Sequence, residues 1–341
     1  VADYKNIDNL LEALFSDFNP KQQKVVLRRF GLKNGRRATL QEIGDELGIT
    51  RERVRQIEED VLRKLASRVT EAATPIIEFA NTHLNSAGGV RRDDFMIGDI
   101  TSYLYPNSKA KNIHDKIRFL LVASKSPLYQ KENDEFYPFW YSDENKKKKF
   151  LEFVKNTISF FKNGGNKNDP RYKNYLAVCN NFAECHYLII PKHFGMNVFG
   201  DFGLRSSPEI EPRTIRDKIY LVLRKHEKPL HFEDIAKFIT RYKLDEKPAH
   251  VQTVHNELIK DDRFVLVGRG VYGLQEHGFE PGTVREVIAR ILKKKGPLAS
   301  HQVVSFVNEQ RFLKENTILL GLQNRRHFRR LDDGRYNVKE A

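Results

Sequence analysis

The sequence predicts a mainly α protein in which a helix-turn-helix module is followed by multiple winged-helix domains, each made of three helices and a β-hairpin. Three observations carry this prediction. Between Asn19 and Lys64, two apolar patterns of helical spacing meet at a glycine. From Pro212 onward the chain repeats itself with an offset of 69 residues. Each repeat closes on two β-prone runs flanking a glycine-containing turn.

Composition narrows the class. With 341 residues and 40% hydrophobic content, the chain is long enough for several small domains with their own cores. Its net charge of +14 favours a polyanionic partner, because phosphate contacts release counterions, without separating DNA from RNA or an anionic membrane. No run of eighteen apolar residues and no leader-like start is present, so a cytoplasmic protein with no membrane partner is expected. Two cysteines give no disulfide framework. Cys179, Cys185, His186 and His193 lie within fifteen residues, but five residues separate the cysteines where zinc sites usually place two to four. Their neighbours Phe182, Tyr187, Leu188 and Ile189 read as core, so neither a metal nor a cofactor is expected.

The first segment, residues 1–70, holds the helix-turn-helix. Thr39 is an N-cap candidate with Glu42 in the capping-box position, and Ile43 and Leu47 follow at helical spacing. Gly48 ends that helix and Thr50 caps the next, in which Val54, Ile57, Val61 and Leu65 mark one side. Arg51, Glu52, Arg55, Gln56, Glu59 and Arg63 face away from them. Arg forks two hydrogen bonds onto guanine, Gln does the same with adenine, and Glu accepts from the cytosine amino group. Arg51, Glu52, Arg55 and Gln56 at a helix start therefore form a base-reading set for double-stranded DNA.

These residues carry a family resemblance. TRERVRQIEEDVLRKL (Thr50 to Leu65), preceded by LRRFGL (Leu27 to Leu32) and TLQEIGDELGI (Thr39 to Ile49), resembles region 4 of the primary, sigma-seventy class of bacterial RNA polymerase sigma factors. The resemblance implies contact with the minus-35 promoter element through the second helix and with the β-subunit flap of core RNA polymerase. It assigns base reading to Arg51, Glu52, Arg55 and Gln56, and phosphate contact or docking to Arg29, Thr39, Arg53 and Lys64. A complete sigma factor also carries an aromatic-rich segment that captures the melted minus-10 strand. Only eighteen residues precede Asn19, so the expectation is that another factor opens the promoter.

Residues 71–211 form a less legible middle region. Ile113 to Val122 reads as a helix, and Leu128 to Lys131 pairs with Phe136 to Tyr141 across a turn at Asn133-Asp134. A divergent winged helix between Gly89 and Tyr141, followed by a helical connector, fits this pattern. Lys146 to Phe161 reads as an exposed helix broken at GGNKNDP (Gly164 to Pro170), and Gly195 to Pro208 as an irregular connection. The many aromatics are read as core rather than as a stacking platform for single-stranded bases.

The repeat begins with residues 212–278. Ile215, Ile219, Val222 and Leu223 mark its first helix, Phe232, Ile235 and Phe238 its second, and Val251, Val254 and Leu258 its third. Phe264 to Val267 turns at Gly268-Arg269-Gly270 into Val271 to Leu274. This copy is similar, over RTIRDKIYLVLRKHEKPLHFEDIAKFI and DDRFVLVGRGVYGL, to the HARE-type winged helix of the bacterial RNA polymerase delta subunit. Its third helix offers His250, Gln252, Thr253, His255 and Asn256 but ends in Glu257, Asp261 and Asp262, which leaves DNA and protein contact both open.

The second copy, residues 279–341, has helices through Val284 to Ile291, Val303 to Val307 and Ile318 to Leu322, and a hairpin turning at Asp332-Asp333-Gly334. Residues 281–341 hold thirteen Lys or Arg against six Asp or Glu, so half the net charge lies there. Lys293, Lys294, Lys295, Arg325, Arg326, Arg329 and Arg330 suit a DNA backbone. A basic face serving only solubility is the alternative.

Rival functions are an enzyme and a DNA-binding protein that never meets polymerase. Glu144-Asn145-Lys146 and Asp245-Glu246-Lys247 fit the acid-x-lysine pattern of restriction-type nucleases, but neither has a preceding acidic strand partner. No Walker loop, Gly-x-Ser-x-Gly elbow or His-Glu-x-x-His occurs, so no catalysis is expected. A polymerase-independent repressor or mobile-element protein would share the reading helix and lack the flap-docking surface. The sequence leaves the oligomeric state open and shows no coiled coil.

Overall fold

The computed structural model describes residues 6–107, 112–165, 169–174, 177 and 185–339. The chain forms two compact units, one reaching Gly195 and including Phe202–Leu204, the other comprising Met196–Asp201 and everything from Arg205.

The first unit opens with four helices: α1 (Ile7–Phe15), α2 (Pro20–Arg29), α3 (Leu40–Leu47) and α4 (Arg51–Ala72). Caps explain where they start. Asn19 and Gln22 close a reciprocal capping box around a proline in the first turn of α2, and Thr39 and Glu42 do the same for α3. Thr50 accepts from the Arg53 amide at the start of α4. Then follow α5 (Thr74–Ser86), β1 (Val90–Arg92), α6 (Asp93–Leu104), α7 (Ile113–Ser124), β2 (Leu128–Gln130) and β3 (Phe139–Tyr141), with antiparallel strands in the order β1-β3-β2. This is a winged helix, and it begins at Thr74, ahead of the Gly89 expected from sequence. The first helix was missed there, although Pro75 in its first turn and Gly88-Gly89 after the apolar set Ile76, Ile77, Ala80 and Leu84 are start and stop signals.

One apolar cluster runs from Ile7 through Val54, Val61 and Leu65 to Phe119, Leu120 and Trp140. The helix-turn-helix and this winged helix therefore share a core. The third helix of a winged helix commonly enters a DNA groove, yet α7 buries Ile117, Phe119, Leu120, Leu121 and Ala123. The Phe119 ring lies 5.5 Å from Phe15 and 5.1 Å from Phe30, fastening α7 to α1 and α2. Strand alternation then divides the neighbouring aromatics. Trp140 belongs to this first cluster, whereas Phe139 and Tyr141 join a second with Phe150 and Val154 of α8 (Glu144–Lys162) and with Tyr172, Leu188 and Phe202. Among the described residues the middle aromatics are buried or half-buried, as expected, apart from Phe95 and Tyr103, which stand 43% and 70% exposed; Tyr175 and Phe182 lie outside the described residues. Within the stretch read as irregular, β4 (Phe194–Met196) pairs with β5 (Phe202–Leu204) across a turn that holds Gly200 at φ 83°.

In the second unit, helices Ile215–His226, Phe232–Arg241 and Val251–Lys260 combine with β6 (Leu230–His231), β7 (Phe264–Gly268) and β8 (Val271–Leu274) in the order β6-β8-β7. The strand order repeats that of β1-β3-β2. Val254 and Leu258 are buried, but Val251 is 40% exposed because it occupies the first position of its helix. The last copy has helices Val284–Lys295, Ser300–Asn308 and Glu315–Leu322, then β9 (Phe328–Arg330) and β10 (Tyr336–Val338). An isolated bridge from Leu298 to Tyr336 takes the place of its first strand.

The two copies in this unit are joined by a buried arginine. Arg311 is 4% exposed and donates to three backbone carbonyls: Leu266 in β7, Glu280 at 2.6 Å and Gly282 at 3.0 Å. Alongside it the Phe312 amide donates to the Val267 carbonyl at 2.8 Å. The linker after β8 is thus pinned to the wing before it.

Candidate nucleic-acid interface

The turn between α3 and α4 depends on two glycines. Gly48 adopts the left-handed conformation at φ 63° that ends α3, where a side chain would be strained. Gly44 is buried, and a Cβ there would lie 2.7 Å from the Ile49 carbonyl oxygen. This close approach lets α4 cross α3 tightly. Val54, Ile57, Val61 and Leu65 then bury one side of α4, as the spacing predicts, and Arg51, Glu52, Arg55 and Gln56 stand exposed together on its first two turns.

The exposed set is held in a ladder of charge. Arg55 donates to both Glu52 carboxylate oxygens, at 2.9 and 2.6 Å, and also pairs with Glu59. These contacts hold the guanidinium firmly protonated and push the Glu52 carboxyl below its usual range, mainly through the Arg55 hydrogen bond. The Gln56 carbonyl accepts from Arg53 at 3.1 Å, while Arg51 makes no ion pair among the described residues. All these pairs are exposed, where such bridges contribute little and exchange readily for base or phosphate contacts.

The residues given a phosphate or docking role divide. Arg53 and Lys64 are exposed, and Lys64 pairs with Asp60 at 2.8 Å. The Thr39 hydroxyl is occupied as a helix cap, accepting from the Glu42 amide at 3.1 Å. Arg29 points inward: its Nε lies 3.3 Å from Glu58 and its Nη1 donates to the Ala38 carbonyl at 3.1 Å. Glu58 is 7% exposed and was missed from sequence. Its signal was position, since it lies four residues after Val54 and three before Val61, on the apolar side of α4, where a carboxylate needs an internal cation.

A second structural element was also missed. Arg37, in the α2–α3 loop, donates to Asp115 at 2.6 Å; Arg118 bridges Asp115 at 3.0 Å and Asp93 at 2.6 Å; and the Trp140 indole donates to Asp93 at 2.9 Å. This chain of charge ties the helix-turn-helix to α6, α7 and β3. Its members lie up to about a hundred residues apart, so no local pattern reports them. Nearby, His186 is 2% exposed and accepts from Arg91 at 2.8 Å; burial and the adjacent arginine lower its pKa to about 4. That neutral, packed histidine agrees with a core reading of the Cys/His segment. Cys179 lies outside the described residues, and among the described residues no group of three His, Cys, Asp or Glu is placed to hold a metal.

Comparison with known proteins places this geometry. Residues 14–67 match the family model for sigma-70, region 4. Residues 213–277 match the HARE-HTH family model, a helix-turn-helix domain whose description names ASXL and restriction endonucleases. Over 64 residues the chain is 44% identical to the RNA polymerase sigma factor SigA of Clostridium acetobutylicum, covering 19% of this chain and 17% of that one. It is 42% identical over 64 residues to the RNA polymerase sigma factor sigB of Arabidopsis thaliana, covering 19% of this chain and 10% of that one. The chain therefore joins a sigma region-4-type helix-turn-helix to a HARE-type winged helix, and spans less than a fifth of the length of these relatives.

In the last copy the seven basic residues singled out from sequence are distributed over three places. Lys293, Lys294 and Lys295 end the helix Val284–Lys295, Arg325 and Arg326 lie in the loop before β9, and Arg329 and Arg330 lie on β9. All seven are exposed. Lys295 stands over the Phe306 ring at 4.0 Å, so part of its charge is engaged in that packing. Among the described residues, no helix is long and apolar enough to cross a membrane.

Proposed function

We propose that this protein is a sequence-specific, double-stranded DNA-binding protein of transcription, and that Arg51, Glu52, Arg55 and Gln56 read a promoter-like hexamer in the major groove. One observation carries the reading. These four side chains stand exposed together on the first turns of α4, behind a glycine turn, in the stretch that matches sigma-70 region 4. Arg53 and Lys64 add phosphate contacts; Arg29 and Thr39 serve the site from within, by holding α4 to α2 and by capping α3. The same module docks on core RNA polymerase at its β flap, as its sigma relatives suggest, and the protein works in the cytoplasm as a binding factor without catalysis. The winged helices extend its contacts along DNA or polymerase.

The test is fluorescence anisotropy on a duplex carrying the minus-35 hexamer against a scrambled duplex, at several salt concentrations. The expected result is a preference for the hexamer that survives moderate salt. Arg55→Ala or Gln56→Ala should cost on the order of 1–3 kcal/mol at one or two base positions and leave scrambled DNA almost unaffected. Equal losses on every sequence would remove the readout. Copurification with core polymerase at moderate salt tests the second half, and its failure would turn the reading to a polymerase-independent repressor.

A further inference from the structure

The last winged helix carries its charge in an unusual place. Its third helix, Glu315–Leu322, which would ordinarily enter a groove, contains one carboxylate and no Lys or Arg, and Leu320 on it is 70% exposed. The tip of its wing is Asp332-Asp333, with Asp333 bonded to Arg335 at 2.6 Å. Neither element suits a polyanion.

The opposite is true of the first helix and the base of the wing. There Arg285, Lys293, Arg326, His327 and Lys339 line one concavity of about 650 Å³, brought together from three separate parts of the copy. Arg285, Lys293, Arg326 and Lys339 are exposed, and among the described residues none makes a salt bridge; Arg290 and Arg335, by contrast, pair with Glu280 and Asp333. Among the described residues the one carboxylate in the concavity is Glu286, which accepts from the Thr283 amide at 2.6 Å in a capping box and is engaged at the helix start. Four cations without a salt bridge among the described residues, around one carboxylate that offsets part of the Arg285 charge, leave the surface with net positive charge. Phosphates neutralise such a surface with release of counterions, and Ala289 and Val338 complete the lining between the cations.

We propose that this concavity is a site for the phosphodiester backbone of duplex DNA, so that the last winged helix holds DNA by its first helix and wing base and leaves its third helix outside the groove. The site is sequence-blind. It deepens the reading of the protein as DNA-binding, but it does not rely on the α4 set.

The experiment uses the full chain. Arg285→Gln/Lys293→Gln/Arg326→Gln is compared with Lys314→Gln/Asn316→Ala, at the N-cap and in the first turn of the third helix, both checked for an unchanged thermal transition. With three phosphate contacts removed, the slope of log K against log salt should fall by about 2–3, and affinity should drop equally for hexamer and scrambled duplexes. The third-helix variant should match the parent. An unchanged slope in the first variant, a larger loss in the second, or binding of single-stranded RNA with no binding of duplex DNA would each overturn the site. Failure of the α4 reading appears separately, as a parent protein with no hexamer preference whose salt slope still falls with the three substitutions.

Discussion

Arg311→Met gives the most direct test of how the tandem winged helices are joined. Methionine keeps most of the side-chain length and apolar volume but deletes three charge-assisted donors, leaving the Leu266, Glu280 and Gly282 carbonyls without them. A hydrogen bond to a charged group contributes about 1.5–3 kcal/mol, so three bonds set an upper bound near 5–9 kcal/mol. The native arrangement also has a cost. Burial and the neighbouring Arg290 push the guanidinium pKa down, and no carboxylate compensates among its hydrogen-bond partners. Linker carbonyls near the surface recover water once released. We therefore expect a net loss of about 3 kcal/mol, which at a urea dependence of roughly 2 kcal/mol per molar moves the midpoint by about 1.5 M. The single tryptophan of the chain, Trp140, lies in the first unit, so its fluorescence reports that unit while far-UV circular dichroism reports both. The transition seen by tryptophan should stay in place as the remaining dichroism transition moves down. Amide exchange over residues 278–283 should quicken together with it. A dichroism curve superimposable on the parent, or unchanged exchange in the linker, would refute the clamp. Arg311→Lys, which keeps the charge without the forked donor geometry, should fall between.

Other expectations follow from the same contacts. Gly44→Ala places a methyl 2.7 Å from the Ile49 carbonyl oxygen, so the helix-turn-helix should lose about 1–3 kcal/mol by chemical denaturation, and a stability equal to the parent would show that α3 and α4 are less tightly crossed. Thr39→Ala should cost about 1 kcal/mol of stability through the lost cap, with Thr39→Ser restoring it; restored stability with DNA affinity still lost would return Thr39 to a direct phosphate role. His186 titrates near 4 when folded against 6.5 as a free group, so between these values the unfolded chain binds the extra proton. Stability from this group is then fully present above about pH 6.5 and falls as pH drops towards 4, by at most about 3 kcal/mol, at about 1.4 kcal/mol per unit. His186→Gln should flatten the stability–pH profile in that window, and an unaltered profile would show that the histidine is not held neutral.

Helix α4 was legible because its determinants are local. Caps at Thr39 and Thr50, the stop at Gly48 and the apolar spacing of Val54, Ile57, Val61 and Leu65 all operate within a few residues, and helix periodicity alone puts Arg51, Glu52, Arg55 and Gln56 on the free side. The HARE-type copy and its repeat were legible for the same reason, since hairpin turns and helix caps recur at matching positions. The middle region was not. Its β1 strand is three residues long and is defined by pairing with β3 some fifty residues later.

Short-range hydrogen bonding and the period of the apolar residues dictate which segments turn, cap and fold into helix or hairpin, and which side chains are left outward on α4; these are properties of the chain read in order. How the pieces are used is settled by their packing in three dimensions. Packing turned Arg29 inward onto Glu58, set α7 into the helix-turn-helix, pinned the wing linker with Arg311, and gathered Arg285, Lys293, Arg326 and Lys339 into one concavity. Each of those outcomes depends on a partner distant in sequence, where burial makes an unpaired charge costly and leaves a surface charge free only if no carboxylate is folded against it.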